Sequence, residues 1–309
     1  MLEGRRMRKA TPGFSLWSPK NRHLFAYLLL LPALLLTASI IIYPIISAVD
    51  LSFQDVKISR VGRERTPWTF QNYEKLFRSD DFYNASWVTV KLVAIVTASS
   101  YVLGLGTALL VNQRFRGRTA ARLLVALPWA IPSVVATVAW WWMFDSSFGL
   151  INWLLIRMGL IHETINWLSR PGAAFFVIVV VMVWKGYPFV SVMLLAGLQA
   201  IPQELYDAAH VDGANAWNRF RYITLPGLRS VRGIALILIL LWGFREFEII
   251  YILTGGGPLR STQTLAIMTY LEAFQFFRVG YGAAIGIITL VIAVVASIFM
   301  VRSMSDSIY

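Results

Sequence analysis

The chain alternates between long apolar runs and shorter polar segments. A helix needs about 20 apolar residues to cross a bilayer, and six runs of roughly this length occur in the 309 residues. Pro128 and Pro132 interrupt the third run. The pattern predicts an all-α polytopic membrane protein with six transmembrane helices. The predicted spans are residues 24–49, 87–112, 123–144, 173–198, 231–253 and 281–301.

Composition agrees with a membrane protein and argues against other classes. Hydrophobic residues make up 57% of the chain and charged residues 14%, and the mean hydropathy is +0.63, values unlike those of a soluble domain. The net charge of +12 would suit a nucleic-acid-binding protein. Such a protein gathers Lys and Arg on one face without long apolar runs between them, so we expect no nucleic-acid partner. There is no cysteine, which excludes disulfides and thiol chemistry.

The distribution of charge predicts the orientation in the membrane. Residues 1–23, 113–122, 199–232 and 302–309 together hold 15 Lys and Arg against 5 acids, whereas residues 50–86, 145–172 and 254–280 hold 10 against 9. Lys and Arg near span ends mark the cytoplasmic side, so both termini are predicted to be cytoplasmic. The first apolar run is longer than that of a cleaved signal peptide and has no clear small-residue cleavage site. We therefore predict an uncleaved anchor.

This topology predicts three parts of the chain. A basic cytoplasmic tail covers residues 1–23, a transmembrane domain covers residues 24–302, and a second cytoplasmic tail covers residues 303–309. Within the domain, residues 50–86 form an extracytoplasmic loop that is rich in aromatic residues, which indicates a folded loop rather than a linker. Residues 199–226 form a cytoplasmic loop between spans four and five.

The polar segment 199–226 is predicted to form two short helices joined by a glycine. Pro202 suits a first helical turn. Gly213 supplies the backbone freedom for a sharp break, Asp212 is a candidate cap, and Pro226 would end the second helix. The alternative interpretation is an ordinary amphipathic connector between two membrane helices.

The same segment resembles the "EAA" loop of membrane subunits of binding-protein-dependent ABC importers. The pattern E-A-A-x3-G-x9-I-x-L-P is matched by Asp207, Ala208, Ala209, Gly213, Ile223, Leu225 and Pro226. Asp207 stands where the family usually has Glu, which keeps the charge but shortens the side chain. In that family the loop is cytoplasmic and docks into a cleft on the ATPase subunit. The resemblance therefore implies a docking surface made of Glu204, Leu205, Asp207, Ala208, Ala209, Gly213, Trp217 and Phe220.

Two further segments resemble the sugar branch of this family. Residues 69–77, TFQNYEKLF, are similar to the G-x-x-N-Y-x-x-L stretch that follows the first span. Residues 254–264, TGGGPLRSTQT, are similar to the T-G-G-G-P-x3-T-x-T pattern of the permease type that pairs with a second, different permease. A phosphate-binding loop would need a Gly-Lys pair, and the sequence has none. We therefore predict that the chain is not an ATPase and that its glycine-rich segment is a turn closing a helix.

Charged residues inside the predicted spans are few and mark candidate sites, because a charge in hydrocarbon usually faces a cavity or a partner. Gly186 and Pro188 weaken the helix near mid-span, and broken helices at that depth commonly line a pathway. Aromatic residues in the same spans offer faces that stack on sugar rings. The predicted substrate pathway is Trp184, Lys185, Tyr187, Phe189, Arg245, Glu246 and Glu248. The alternatives are ion pairs between helices and, for Trp residues 140–142, an interfacial belt.

The resemblance covers nearly all of the chain and implies an importer subunit like the first permease of the maltose and glycerol-3-phosphate systems. The partners that it implies are a second permease, two copies of an ABC ATPase and an extracytoplasmic binding protein. The implied substrate is a di- or oligosaccharide, and the implied location is a bacterial inner membrane. ATP and Mg²⁺ would bind to the ATPase, and we expect neither a cofactor nor a metal site in this chain. The alternatives are a permease for a polyamine or glycerol-3-phosphate, and a stand-alone secondary transporter, which would leave the docking loop unexplained.

Overall fold

The computed structural model describes residues 22–56 and 67–305. These residues form helices and connecting turns, with no strand among them, so the predicted all-α class is confirmed. The helices are α1 (Arg22–Thr37), α2 (Tyr43–Ser52), α3 (Gln71–Phe77), α4 (Asp80–Asn112), α5 (Arg118–Ala130), α6 (Ser133–Met143), α7 (Leu150–Arg157), α8 (Pro171–Ala200), α9 (Gln203–Val211), α10 (Ala216–Arg219), α11 (Leu225–Gly227), α12 (Arg229–Phe244), α13 (Glu248–Thr254), α14 (Leu265–Tyr270) and α15 (Val279–Ser305). Three π-helical turns join or extend them at Ala38–Ile42, Phe220–Thr224 and Leu271–Gln275.

The described residues contain four candidate membrane spans, or up to six if each bent pair is one span. All of these helices overlap predicted spans except Ala216–Gly227, which lies almost entirely in the predicted cytoplasmic loop. Four are continuous and apolar: Tyr27–Ser52, Asp80–Asn112, Pro171–Ala200 and Val279–Arg302. Two are bent pairs: Arg118–Ala130 with Ser133–Met143 at 94°, and Ala216–Gly227 with Arg229–Phe244 at 67°. The bend in the third span falls between the two prolines, as the interruption predicts. The cytoplasmic position of both termini stays a prediction.

The first span up to Asp50 belongs to a unit of its own, which includes α1, the π turn and most of α2. Pro32 lies inside α1 without ending it, and the side chains of residues 27–46 are exposed. The predicted tails fall mostly outside the described residues, which begin at residue 22 and end at residue 305.

The fifth span is shorter than predicted as a single helix. Instead of running through residues 231–253, α12 ends at Phe244 and α13 begins at Glu248. Between them Glu246 Oε1 accepts a hydrogen bond from the backbone N–H of Ile249 at 3.0 Å. This bond satisfies an N–H at the start of α13 that has no partner within the helix. A carboxylate in the sequence F-R-E-F therefore starts a new helix where apolar periodicity predicts one continuous helix.

The fourth span is continuous, so the predicted weakening at Gly186 and Pro188 is wrong. Both residues lie inside α8, because a proline in a membrane helix is tolerated when neighbouring groups satisfy the freed backbone. Gly186 is instead a point of close packing. A Cβ there would lie 2.8 Å from Cδ1 of Ile239 and 3.3 Å from Oγ of Ser100. The missing side chain brings α8, α12 and α4 together.

The core of the second unit, residues 51–309, lies along α4 and α8. The Thr107 hydroxyl donates to Leu103 O at 2.8 Å and is 2.9 Å from Ser191 Oγ, which links the two helices. Toward α13 and α14 the buried side chains are Leu92, Val96, Val177, Ile178, Val181, Ile249, Ile250 and Ile267. Toward α12 they are Ala108, Val190, Leu194, Leu198, Leu228 and Ala235. These two clusters hold α8 rigidly between α4 and α12.

A small polar and aromatic cap closes one end of this core. Asn72 is buried, and its Nδ2 donates to the carbonyls of Ser52 at 3.0 Å and Gln54 at 2.9 Å. Tyr73 OH shares a hydrogen bond of 2.7 Å with Ser52 Oγ, and Leu76 is fully buried. The N-Y-x-x-L segment therefore has a structural role, and the described part of the predicted loop at residues 50–86 is folded. Residues 57–66 of that loop lie outside the described residues.

The glycine-rich segment forms the turn between α13 and α14, as predicted. Gly255 has φ +59° and ends α13. The hydroxyls of Thr254 and Thr262 share a hydrogen bond of 2.7 Å, and Thr264 accepts from the backbone N–H of Ile267 at the start of α14. The threonines of the T-G-G-G-P-x3-T-x-T pattern thus hold the turn closed.

Candidate functional site

An open cavity of about 470 Å³ lies beside the bend between α5 and α6 and the break between α12 and α13. Its wall includes side chains from α4, α5, α6, α8 and α12 and from the α12–α13 break. Four of the predicted pathway residues line it together: Lys185, Arg245, Glu246 and Glu248. A pathway role for these residues stays a prediction.

Lys185 is bonded to the break in the third span. Its ammonium donates to the carbonyls of Pro128 at 3.1 Å and Trp129 at 3.2 Å, and also to that of Ile131. In an unbroken helix the Pro128 carbonyl would receive the N–H of residue 132, but Pro132 has none. An ammonium has three N–H donors, and these three carbonyls use all of them. Lys185 therefore caps the C-terminal end of α5.

The charges at the break in the fifth span differ in exposure. Arg245 and Glu248 are exposed, whereas Glu246 is half-buried and bonded to the start of α13. The part of the chain that the structure describes contains no ion pair of Arg245 or Glu248. These two side chains are thus available to a solute in the cavity.

The predicted aromatic pathway residues do not line the cavity. Phe189 packs against two lining residues, with ring centroids 5.8 Å from Trp129 and 4.6 Å from Trp242. Trp184 packs edge-on against Trp140 at 5.5 Å. Tyr187 is half-buried on α8 and is not among the lining residues. Of the three, Phe189 packs behind the lining residues, and neither Trp184 nor Tyr187 is part of the cavity surface.

The three consecutive Trp residues of the third span differ in their surroundings. Trp140 stacks on Phe144 at 5.7 Å and packs into the core, whereas Trp141 and Trp142 are exposed. A belt at the membrane interface therefore fits only the last two of them.

Trp129 and Ser133 line the cavity but were not predicted as site residues. They flank the bend between α5 and α6, where Pro128 and Pro132 were the only signal in the sequence. Both residues lie within two positions of the bend at residues 131–132, and the cavity adjoins this bend. The prolines could therefore have identified both positions.

The loop between α8 and α12 contains the predicted pair of short helices, α9 and α10. Gly213 between them has φ +74°, the backbone angle that the sequence predicts for it. The second helix is capped by Asn215, whose side chain accepts from the backbone N–H of Asn218 at 2.8 Å, and not by Asp212, which ends α9. The helical segment that begins at Ala216 continues through the π-helical turn and α11 to Gly227, so it ends one residue after Pro226, close to the predicted position.

Most of the predicted docking residues are exposed on this loop. Exposed side chains include Leu205 and Trp217, with 51% and 63% of their surface accessible. Asp207 is exposed, and its Oδ1 accepts from Gln203 Nε2 at 3.2 Å. Of the whole set, Glu204, Leu205, Asp207, Ala208, Gly213 and Trp217 are exposed, and Ala209 and Phe220 are half-buried. The loop therefore presents small, apolar and acidic groups to a partner, although docking itself stays a prediction.

The described residues contain no group of three His, Asp or Glu side chains close enough to hold a metal ion. His162 and His210 lie in separate parts of the chain, on the α7–α8 connection and on α9.

Comparison with known proteins supports the resemblance seen in the sequence. A family model described as a binding-protein-dependent transport system inner membrane component matches residues 100–303. The trehalose/maltose transport system permease protein MalF of Thermococcus litoralis is 39% identical over 86% of this chain and 88% of its own length. The sulfoquinovosyl glycerol transport system permease protein SmoG of Agrobacterium fabrum is 37% identical over 91% of this chain and 90% of its own. The diacetylchitobiose uptake system permease protein DasB of Streptomyces coelicolor is 34% identical over 89% and 85%.

Among solved structures, this chain resembles one in a bacterial ABC transporter that imports the acidic polysaccharide alginate. The TM-score is 0.82 with 25% sequence identity, over 95% of this chain and 99% of the other.

Proposed function

Because this chain belongs to the inner membrane components of binding-protein-dependent transport systems, we propose that it forms half of a sugar pathway in an ATP-driven importer. The proposed substrate is a di- or oligosaccharide. Relatives named for maltose, sulfoquinovosyl glycerol and diacetylchitobiose support a carbohydrate substrate. The family's place in the inner membrane supports a bacterial plasma membrane location with several spans.

One observation carries the coupling role. The exposed loop with α9 and α10 joins α8 directly to α12, and these two helices supply Lys185, Ile239 and Trp242 to the cavity wall. Where the loop returns to α12, Leu228 is fully buried against Leu194 and Leu198 of α8. A rigid connection of this kind transmits a displacement of the loop to the cavity, because packed helices move as units rather than deform continuously.

The energy source is proposed to lie outside this chain. ATP and Mg²⁺ would bind to two copies of an ABC ATPase, which the loop at residues 199–226 would contact from the cytoplasm. A second permease would supply the other half of the pathway, and an extracytoplasmic binding protein would deliver the sugar. Both termini would then be cytoplasmic.

The test is uptake into proteoliposomes. The assembled complex, its binding protein and internal ATP would be offered trehalose, maltose, diacetylchitobiose, putrescine and glycerol-3-phosphate, each radiolabelled. We expect ATP-dependent uptake of at least one of the three sugars and none by vesicles containing this chain alone. Uptake by the chain alone would refute the coupled importer, and uptake of only putrescine or glycerol-3-phosphate would refute the sugar assignment.

A further inference from the structure

Four aromatic rings form a continuous row beside the central cavity. Phe247 stacks on Tyr251, with centroids 5.0 Å apart and planes at 18°. Tyr270 lies 4.9 Å from Phe247 and 5.1 Å from Tyr251. Phe274 follows at 5.5 Å from Tyr270. The row consists of two pairs spaced by four residues, one across α13 and one across α14 and its π turn, so that successive rings share a face of each helix.

The row connects two cavities. Phe247 and Arg245 line both the central cavity and a second, mainly apolar cavity of about 630 Å³. Tyr270 and Phe274 line the second cavity, and Phe274 at the far end is 63% exposed. The rings therefore lead from an exposed position to the charged break of the fifth span.

The exposure of these rings separates them from the aromatic core. Phe82, Phe144 and Phe244 are core residues with 5% or less of their surface accessible, whereas Phe247, Tyr251 and Tyr270 are half-buried and Phe274 is exposed. Tyr251 OH also accepts a hydrogen bond from Gln275 Nε2 at 3.5 Å, which places polar groups at the edge of the row. Each of the four rings therefore keeps part of its surface accessible.

We propose that Phe247, Tyr251, Tyr270 and Phe274 form a binding path for pyranose rings that leads to the central cavity from Phe274, which the predicted six-span topology places on the extracytoplasmic side. This inference rests on the proposed sugar-import function. A pyranose ring has an apolar C–H face and a polar hydroxyl edge, and an aromatic face with polar groups at its edge complements both. A row of such rings lets a sugar pass from one ring to the next without full desolvation of its hydroxyls.

The first measurement is uptake by the full complex in proteoliposomes, using the panel sugar that the wild type transports. Tyr270→Leu and Phe274→Leu should raise the KM of uptake about two- to tenfold, the range expected for loss of one aromatic contact. Tyr270→Phe should retain the wild-type KM, because it keeps the ring. Phe276→Leu is the control, since Phe276 is an exposed aromatic residue near the same end but outside the row. In Phe276→Leu, ATP hydrolysis without sugar and the thermal unfolding midpoint should also stay unchanged.

The second measurement is sugar protection of a single cysteine in this cysteine-free chain. Phe274→Cys should react with an impermeant thiol reagent, and the transported sugar should slow that reaction, whereas Phe276→Cys should react at the same rate with and without sugar. Absence of protection, or failure of Phe274→Cys to react in the assembled complex, would overturn the path. If the wild type transports a panel sugar and the Leu variants keep its KM, only the path fails. If the wild type transports none of them, the sugar assignment fails and the path falls with it.

Discussion

Lys185 is predicted to hold the bend of the third span rather than to bind substrate. Its ammonium donates to the carbonyls of Pro128, Trp129 and Ile131. Lys185→Met keeps the apolar stem of the side chain but leaves these three acceptors without their donor. A hydrogen bond to a charged group contributes about 1.5 to 3 kcal/mol. Because the cavity is open and water can replace some of the lost bonds, we expect the net loss to be near the value for one bond and not three.

A loss of about 1.5 to 3 kcal/mol corresponds to about a 10- to 150-fold change in a local opening equilibrium. Amide hydrogen exchange measures that equilibrium directly. In the assembled complex, peptides covering residues 129–137 should exchange faster in Lys185→Met by about this factor. Lys185→Gln retains an uncharged donor group and should give a smaller increase.

Lys91→Met is the matched control. Lys91 is also a lysine within a predicted span, but it is exposed and lies over the Phe175 ring at 4.5 Å. Its removal should leave exchange at residues 129–137 unchanged. If Lys185→Met also leaves exchange there unchanged, water satisfies the carbonyls as well as the ammonium does, and the reasoning is refuted. Loss of uptake together with unchanged exchange would mean that Lys185 contacts the substrate.

The remaining predictions concern the loop and the topology. Gly213→Val should weaken co-purification of the ATPase and reduce uptake, because valine at φ +74° carries strain of about 1 to 3 kcal/mol. The control Gly159→Val has a similar φ of +68° but lies outside the loop, so it should leave co-purification and uptake unchanged. Asp207→Ala should reduce substrate-stimulated ATP hydrolysis by about tenfold or more, if the carboxylate meets a cation in the ATPase cleft, and Asp207→Glu should restore it; parental stimulation in Asp207→Ala would make the carboxylate a surface charge. Impermeant thiol reagents applied from outside should label Trp68→Cys but not Arg116→Cys, and external labelling at position 116 would contradict the six-span orientation.

The spans and the loop could be predicted because their signals are local. Apolar length alone places the helices, and a glycine between two helix-forming segments predicts the break at Gly213 with its positive φ. The cap was harder to assign. Asp212 and Asn215 lie on either side of Gly213, and both are residue types that favour the N-cap position. Which of them caps the second helix depends on whether that helix starts at residue 213 or at residue 216, and the structure has it start at Ala216.

The helix breaks are harder to predict than the spans and the loop, because they depend on contacts between helices. Pro128, Pro132 and Pro188 all lie in apolar runs, yet the chain bends between the first two and stays helical through the third. The difference lies in the partners. The carbonyls freed near Pro132 accept hydrogen bonds from the ammonium of Lys185 on another helix. At Gly186, by contrast, the continuous helix α8 packs closely against α12. Neither contact is visible in the sequence around the proline itself.

The four charged residues of the cavity fall into two pairs, one bonded to the ends of the broken helices and one exposed. A broken helix in a membrane leaves backbone groups whose desolvation costs several kcal/mol each, and the helix dipole favours a cation at a C-terminal end and an anion at an N-terminal end. Lys185 meets the end of α5 and Glu246 meets the start of α13, each with the favourable sign. Arg245 and Glu248 are exposed, and among the described residues the structure gives neither side chain a hydrogen bond to a helix end. The Arg245 guanidinium can donate hydrogen bonds to sugar hydroxyls, and the Glu248 carboxylate can accept hydrogen bonds from them. A polyamine would be attracted by Glu248 but repelled by Arg245. The charge balance of the cavity therefore favours a polyhydroxy solute over a cationic one.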